Sequence, residues 1–193
     1  TYNGAAHEPK PAVTVAGVTG NLTAGVDYTL GYANNVNAGT ATVTIQAVSG
    51  SNYVGSKSAT FTINPKSIAG ADVVFDAIGA QPYTGFAITP AVTATDSSIG
   101  AALVAGTDFT VAYSNNVNAG TSAKADVTGT GNYTGAKSLT FAIDRSSVNL
   151  ADAVVTFPEV TYTGAAQMPE PTVTYNGVAL VKDTDYTLGT WRN

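Results

Sequence analysis

Apolar and polar residues alternate through most of this chain. Val43, Ile45 and Ala47 take one parity while Thr44 and Gln46 take the other. Farther on, Ala123, Ala125 and Val127 alternate with Lys124 and Asp126. Successive side chains of a strand point to opposite faces, so each segment predicts a strand with one face buried and one in water. The same period marks Asp27-Tyr28-Thr29-Leu30-Gly31-Tyr32, its counterpart Asp108-Phe109-Thr110-Val111-Ala112-Tyr113, and the shorter Asp185-Tyr186-Thr187-Leu188. Later strands put Ala59, Phe61 and Ile63, and then Leu139, Phe141 and Ile143, on a single face. Alternation led by proline predicts strands at 11–15, 90–94 and 171–175, where a first-position Pro removes no central ladder bond. A helical period is nowhere sustained over roughly ten residues. The expected fold class is all-β.

The pattern also repeats as text. Asn34–Thr40 is identical to Asn115–Thr121, Asn52-Tyr53 returns as Asn132-Tyr133, and Phe61-Thr62-Ile63 returns as Phe141-Ala142-Ile143. Tyr-x-Gly turns stand at Tyr2-Asn3-Gly4, Tyr83-Thr84-Gly85 and Tyr162-Thr163-Gly164. A period of about 80 residues results. It divides the chain into 1–64, 65–144 and 145–193. The strand-like runs Asp72–Phe75 and Ala153–Phe157 precede the second and third Tyr-x-Gly turns, whereas the first unit has no such run. That unit is expected to lack its opening strand, the second to be complete, and the third to stop at Thr190-Trp191-Arg192-Asn193 before its last two strands. Both chain ends therefore read as boundaries inside a longer array or of a cleavage product. A lesser alternative is completion between chains by strand addition, since open edges invite pairing. The linkers Asn64-Pro65-Lys66-Ser67 and Asp144-Arg145-Ser146-Ser147 read as too short for free swivelling.

Two polar, glycine-containing segments have the look of binding loops: Asn115, Asn116, Asn118 and Gly120, then Asn132, Tyr133 and Gly135. Both recur in register with the strands beside them. They are better read as framework turns, with Asn and Gly supplying positive φ.

Composition sharpens this picture. Apolar residues make up 44 % of the chain and charged residues only 11 %, well below the roughly 25 % of ordinary soluble domains. Thr, Ser, Asn and Gly must carry solubility, which favours strands and turns. The net charge of −5 and eight dispersed basic residues speak against a nucleic-acid partner. There is no Cys, which removes disulfides, thiolate metal sites and Cys nucleophiles. No run of the sequence is apolar enough for membrane insertion.

The succession Tyr83-Thr84-Gly85, Pro90, Asp108-Phe109, Tyr113, Asn115-Asn116, Asn118-Ala119-Gly120, Gly131-Asn132-Tyr133-Thr134-Gly135 and Phe141-Ala142-Ile143 resembles the bacterial immunoglobulin-like tandem repeats sometimes called MBG or YDG domains. These occur in large secreted and cell-surface proteins and adhesins. The resemblance covers essentially the whole chain. It implies tandem immunoglobulin-like β-sandwich domains arranged as an extended rod, at the bacterial cell surface or outside the cell. It carries no catalytic residues, no cofactor and no shared ligand site.

Chemistry is sparsely supplied. His7 is the single His; a Ser-His-Asp site would need it, no nucleophile elbow accompanies it, and it reads as a surface loop residue. Asp27, Asp108 and Asp185 fill one repeat slot, so they read as turn caps and not as a carboxylate pair for glycoside hydrolysis. Tyr32, Tyr113, Tyr53 and Tyr133 likewise read as core or corner positions. Asp72, Asp76, Asp144 and Asp152 lie near the junctions, where some tandem sandwich proteins bind hard cations, and Asp183-x-Asp185 hints at a calcium loop, but no Asp-x-Asp-x-Asp loop is present and solvated acids are the simpler reading. Lys57 and Lys137 share parity with the buried Phe and Ile of their strands. They are candidates for an isopeptide bond, against the simpler reading of lysines that reach out from the rim.

The expectation is thus a non-enzymatic stalk or spacer in a multi-domain adhesin-like protein, with neighbouring repeats of the same chain as its partners. Any host or glycan ligand would be held through other domains. One alternative is a carbohydrate- or host-binding module, with Trp191, Tyr175 and Phe75 as its aromatic candidates. Another is a subunit of an extracellular fibre assembled by strand addition.

Overall fold

A computed structural model of the chain describes residues 1–145 and 149–190. Among the described residues the architecture is all-β: fifteen short strands and one 3-10 turn at Leu150–Asp152. In the first unit β1 (Tyr28–Ala33), β2 (Gly39–Ala47) and β3 (Ser56–Ile63) form an antiparallel sheet in the order β1-β2-β3. Tyr28, Ala41, Val43 and Ile63 turn inward, on the parity that alternation assigns.

The second unit holds most of the strands among the described residues. Its strands are β4 (Lys66–Ser67), β5 (Val73–Phe75), β6 (Gln81–Pro82), β7 (Ala94–Asp96), β8 (Ala101–Ala102), β9 (Phe109–Ser114), β10 (Gly120–Gly129), β11 (Tyr133–Thr134) and β12 (Ala136–Asp144). One sheet runs β6-β12-β10-β9, another β5-β7-β8, and β4 pairs in parallel with β11. Ile68, Val73, Val92, Ala94 and Leu103 from one side meet Phe109, Ala125, Val127 and Tyr133 from the other in a single core. Phe75 packs edge-on against Phe109, with ring centroids 5.9 Å apart. A smaller cluster of Ala123, Phe141 and Ile143 continues the core towards Tyr83 and Ile88. Lys124 and Asp126, on the opposite parity, are exposed. In the third unit β13 (Val154–Thr156), β14 (Thr172–Tyr175) and β15 (Val178–Ala179) form one sheet.

Four sequence expectations need correction. The strand expected at 90–94 begins only at its last residue and runs Ala94–Asp96. Residues 11–15 form no ladder. In the second unit the corresponding edge is held by β5, through Val73–Asp96 and Phe75–Ala94 pairing, and the first unit has no such strand beside it. The segment keeps the bond from Leu22 N–H to Val13 O at 2.8 Å, but without that edge strand it builds no ladder. Asp185–Leu188 makes only one isolated bridge, from Tyr186 to Lys182, for the same reason: the counterpart of β10 is not beside it. Lys66-Ser67, taken as linker, is instead β4, and its backbone bonds run to the turn before and after Tyr133 (Lys66 N–H to Asn132 O 2.9 Å, Ile68 N–H to Thr134 O 2.9 Å). The junction therefore contains almost no free chain. Of the second linker, residues 146 and 147 lie outside the described residues, as does Trp191.

Candidate functional site

The framework residues are placed alike in successive units. The carboxylates of Asp27, Asp108 and Asp185 each accept the backbone N–H four residues earlier, from Thr23, Val104 and Val181, at 2.8, 2.8 and 2.7 Å. A carboxylate satisfying an otherwise unpaired turn N–H is a structural cap. Asn34 and Asn115 sit at φ 54° and 53°, the left-handed region that Asn tolerates. Asn116 donates its side-chain amide to Ile88 O (2.9 Å), as Asn35 does to His7 O (3.1 Å). The Tyr32 hydroxyl donates to Pro9 O at 2.7 Å and the Tyr113 hydroxyl to Pro90 O. These bonds tie the Asn-Asn-Val-Asn-Ala-Gly turn to the proline-led segment in both units. Gly120 closes that turn at φ 153°, and Gly135 follows Tyr133 at φ 83°.

Other candidates fall elsewhere. His7 lies in a loop and is half-buried; its Nε2 is shut from solvent with no hydrogen-bond partner among the described residues. It occupies the slot that Ile88 fills in the second unit. Lys57 is exposed on β3. Lys137 is half-buried, with Nζ 5.2 Å from the centroid of the Phe75 ring. No carboxylate stands within ion-pair distance of either lysine among the described residues. Asp76 accepts from the Thr93 hydroxyl at 2.5 Å. Among the described residues no three His, Asp or Glu side chains converge as a metal site would require.

A buried ion pair lies where none was expected. Asp96, at the end of β7, is 0 % exposed. Lys66 Nζ donates to its Oδ1 at 2.7 Å, the Tyr133 hydroxyl donates to Oδ2 at 3.2 Å, and Ser98 adds its hydroxyl and its backbone N–H at 2.8 and 3.1 Å. Asp72 stands 3.4 Å from the same ammonium. Burial alone would push the Asp96 carboxyl up, but the Lys66 and Ser98 hydrogen bonds outweigh it and hold the group below the ordinary carboxylate range. Burial would lower Lys66, and the Asp96 and Asp72 carboxylates more than offset it and raise the ammonium. Burial and the adjacent Asp96 charge push the Tyr133 hydroxyl well above its usual range. Each direction favours a persistent Lys⁺–Asp⁻ pair whose tyrosine stays protonated as a donor. A lysine kept charged is a poor nucleophile, and the bonds it makes here are those of a buried ion pair. One signal was legible: Val92, Ala94 and Asp96 share the inward parity, and a charge at an inward position demands a partner.

The cluster abuts the first junction. Tyr133 meets Tyr2 of the first unit edge to face, with ring centroids 5.6 Å apart. Asn132 Oδ1 accepts the Ala38 N–H at 2.8 Å, and its amide donates to Asn37 Oδ1 at 3.2 Å. Ile99, in the β7–β8 hairpin, lies on Gly4, where a Cβ would come 3.4 Å from its side chain. The second junction repeats part of this arrangement: Val178, at the tip of the next hairpin, lies on Gly85, where a Cβ would come 3.3 Å away. Beside it opens a groove of about 800 Å³, lined by Tyr83, Phe86, Asn118, Leu150, Tyr175 and Leu180 among others.

No family model, curated protein or solved structure matches the chain. No helix among the described residues is long and apolar enough to cross a membrane.

Proposed function

We propose that this chain is a structural stalk or spacer segment, built from tandem immunoglobulin-like β-sandwich repeats, of a bacterial cell-surface or secreted multi-domain protein. Its role is to hold other parts of that protein at a distance. The observation that carries this reading is the repeated junction: the Tyr-x-Gly turn of one unit meets the hairpin tip of the next at both Gly4–Ile99 and Gly85–Val178. A repeated contact fixes a repeated step, and a chain of such steps extends. The accessible surface supports it. At 19.5 kDa the chain exposes 12355 Å², against about 8,500 Å² for a compact monomer of that mass.

Small-angle scattering tests the reading. A compact chain of this length has a radius of gyration of about 16 Å. A stalk gives a value well above that, with a rod-like distance distribution; a value near the compact figure overturns the proposal. Surface labelling of intact source cells with an antibody to the segment tests the exported location. The carbohydrate-binding alternative has less support: Phe75 packs in the core and Tyr175 is half-buried in the groove wall.

A further inference from the structure

The two junctions share their residue types, yet among the described residues both contacts are made at the first and one at the second. On the first unit, the Tyr2–Gly4 turn and the Asn37-Ala38 turn together form a socket. The second unit enters it twice, with Ile99 on Gly4 and with Asn132-Tyr133 on Ala38, Asn37 and Tyr2. On the second unit, Tyr83–Gly85 and Asn118-Ala119 form the same socket from the same residue types, and the Asn-Asn-Val-Asn-Ala-Gly-Thr segment is identical. Val178 already sits on Gly85. The Asn118-Ala119 half borders the groove of about 800 Å³. Among the described residues no hydrogen bond reaches the Ala119 N–H.

We infer that this half-socket is a docking site for the Gly-Asn-Tyr turn of a following repeat of the same kind. The Asn side chain of that turn accepts the Ala119 N–H and donates to Asn118 Oδ1, and the Tyr ring stands edge-on to Tyr83. The chemistry is selective. A primary amide presents an acceptor and a donor at once, which suits a backbone N–H beside an Asn carbonyl; a carboxylate lacks the donor and a hydroxyl lacks the span. The glycine of the Tyr-x-Gly turn has two reasons to be there. Gly85 holds φ 81°, which disfavours a side chain, and a Cβ would crowd the incoming hairpin. The inference deepens the stalk reading and rests on it for its purpose, since a turn-in-socket contact fixes the angle between successive repeats.

The experiment uses amide hydrogen exchange followed by NMR, on the full chain and on the full chain extended after Asn193 by a copy of residues 117–144. The expected result is an Ala119 N–H at least about tenfold more protected in the extended protein, the scale of one hydrogen bond of ordinary strength, with its rate approaching that of Ala38. Replacing the added copy of Asn132 by Ala returns it to the unextended rate. An extended chain with new strand resonances and an unchanged Ala119 overturns the inference. Should the added segment stay unfolded, Asn132→Ala in the unextended chain decides. It speeds Ala38 exchange about tenfold while the β9–β10–β12 amides stay protected, or the template contact is absent and the inference falls. Scattering from the same samples reads the rod separately. A protected Ala119 in a compact particle would sink the stalk and keep the socket; an exposed Ala119 in a rod would do the reverse.

Discussion

Asp96 and Lys66 illustrate how much one residue's surroundings decide. Removing one partner strands the other charge in a dry site, so Asp96→Ala or Lys66→Ala is expected to destabilise the second unit by about 3–5 kcal/mol. The backbone bonding puts Val15 in the slot of Asp96 in the first unit: Val18 N–H donates to Val15 O as Ile99 N–H does to Asp96 O. The double change Lys66→Met with Asp96→Val is therefore expected to be neutral or stabilising, because the two desolvation penalties vanish together. Chemical denaturation of the original chain, Lys66→Met, Asp96→Val and the double variant closes the cycle. The pair also sets a pH dependence. The Asp96 carboxyl lies below its ordinary 3.8 in the folded chain, so its contribution is whole above that value and is lost as pH falls through the folded pKa. Lys66 lies above its ordinary 10.5, so its contribution is whole below that value and is lost as pH rises through the folded pKa. The double variant should show a flatter stability profile at both extremes.

His7 gives a second residue-scale test. Its backbone N–H donates to Asn35 O at 2.7 Å, as Ile88 N–H does to Asn116 O at 2.8 Å, but its buried Nε2 has no partner among the described residues. Ile88 in that slot packs against Ala123, Phe141 and Ile143. His7→Ile should therefore stabilise the first unit by about 1–2 kcal/mol, seen as a higher denaturation midpoint at unchanged slope.

At the scale of the element, the Asp-led turn is the most regular device in the chain. In the second unit the Asp108 side chain accepts Val104 N–H, its own N–H donates to Val104 O at 2.8 Å, and Gly106 N–H donates to Phe109 O at 2.7 Å. The loop is thereby closed in front of Phe109, which is fully buried. Asp108→Ala leaves the Val104 N–H unpaired and should lower unit stability by about 1–2 kcal/mol. Asp108→Asn, which keeps an acceptor, should recover most of the loss in the same thermal unfolding experiment. The Gly129–Thr134 approach is tighter still. A Cβ on Gly129 would stand 2.7 Å from Thr134 N and 2.9 Å from its Cα, so no side chain fits where β10 passes β11.

For the whole molecule, core is distributed unevenly. Both buried clusters lie in the second unit, whereas the third contributes Val173 to the buried hydrophobic set and leaves Val160 and the 91 % exposed Tyr162 in water. Stability in a repeat chain is a sum of unit and interface terms. Hydrogen exchange should therefore resolve a strong centre and weaker flanks. Amides of β9, β10 and β12 are expected to be protected about a hundredfold more than those of β13 and β14. Equal protection along the chain would mean that the junctions, and not the cores, dominate.

The sequence alone determined the strand class, the parity of β9, β10 and β12, the Asp caps and the Asn turns. Each is a local consequence: period two sets the faces, and Asn, Asp and Gly carry their turn geometry with them. Asp96 was not among these, because the proline-led pattern ends its strand at residue 94. Tertiary structure decided the rest. Residues 11–15 and 185–188 have strand patterns but no ladders, because a ladder needs a neighbour and local pattern cannot supply one. Lys66-Ser67 looks like linker and is a strand, because its partner, the Tyr133 turn, lies more than half a repeat away in sequence. Lys66 finds Asp96, and Asn132 finds Ala38, across distances of 30 and 94 residues. Pairings that distant arise only from how the sheets pack, and they make the buried ion pair and the repeated junction.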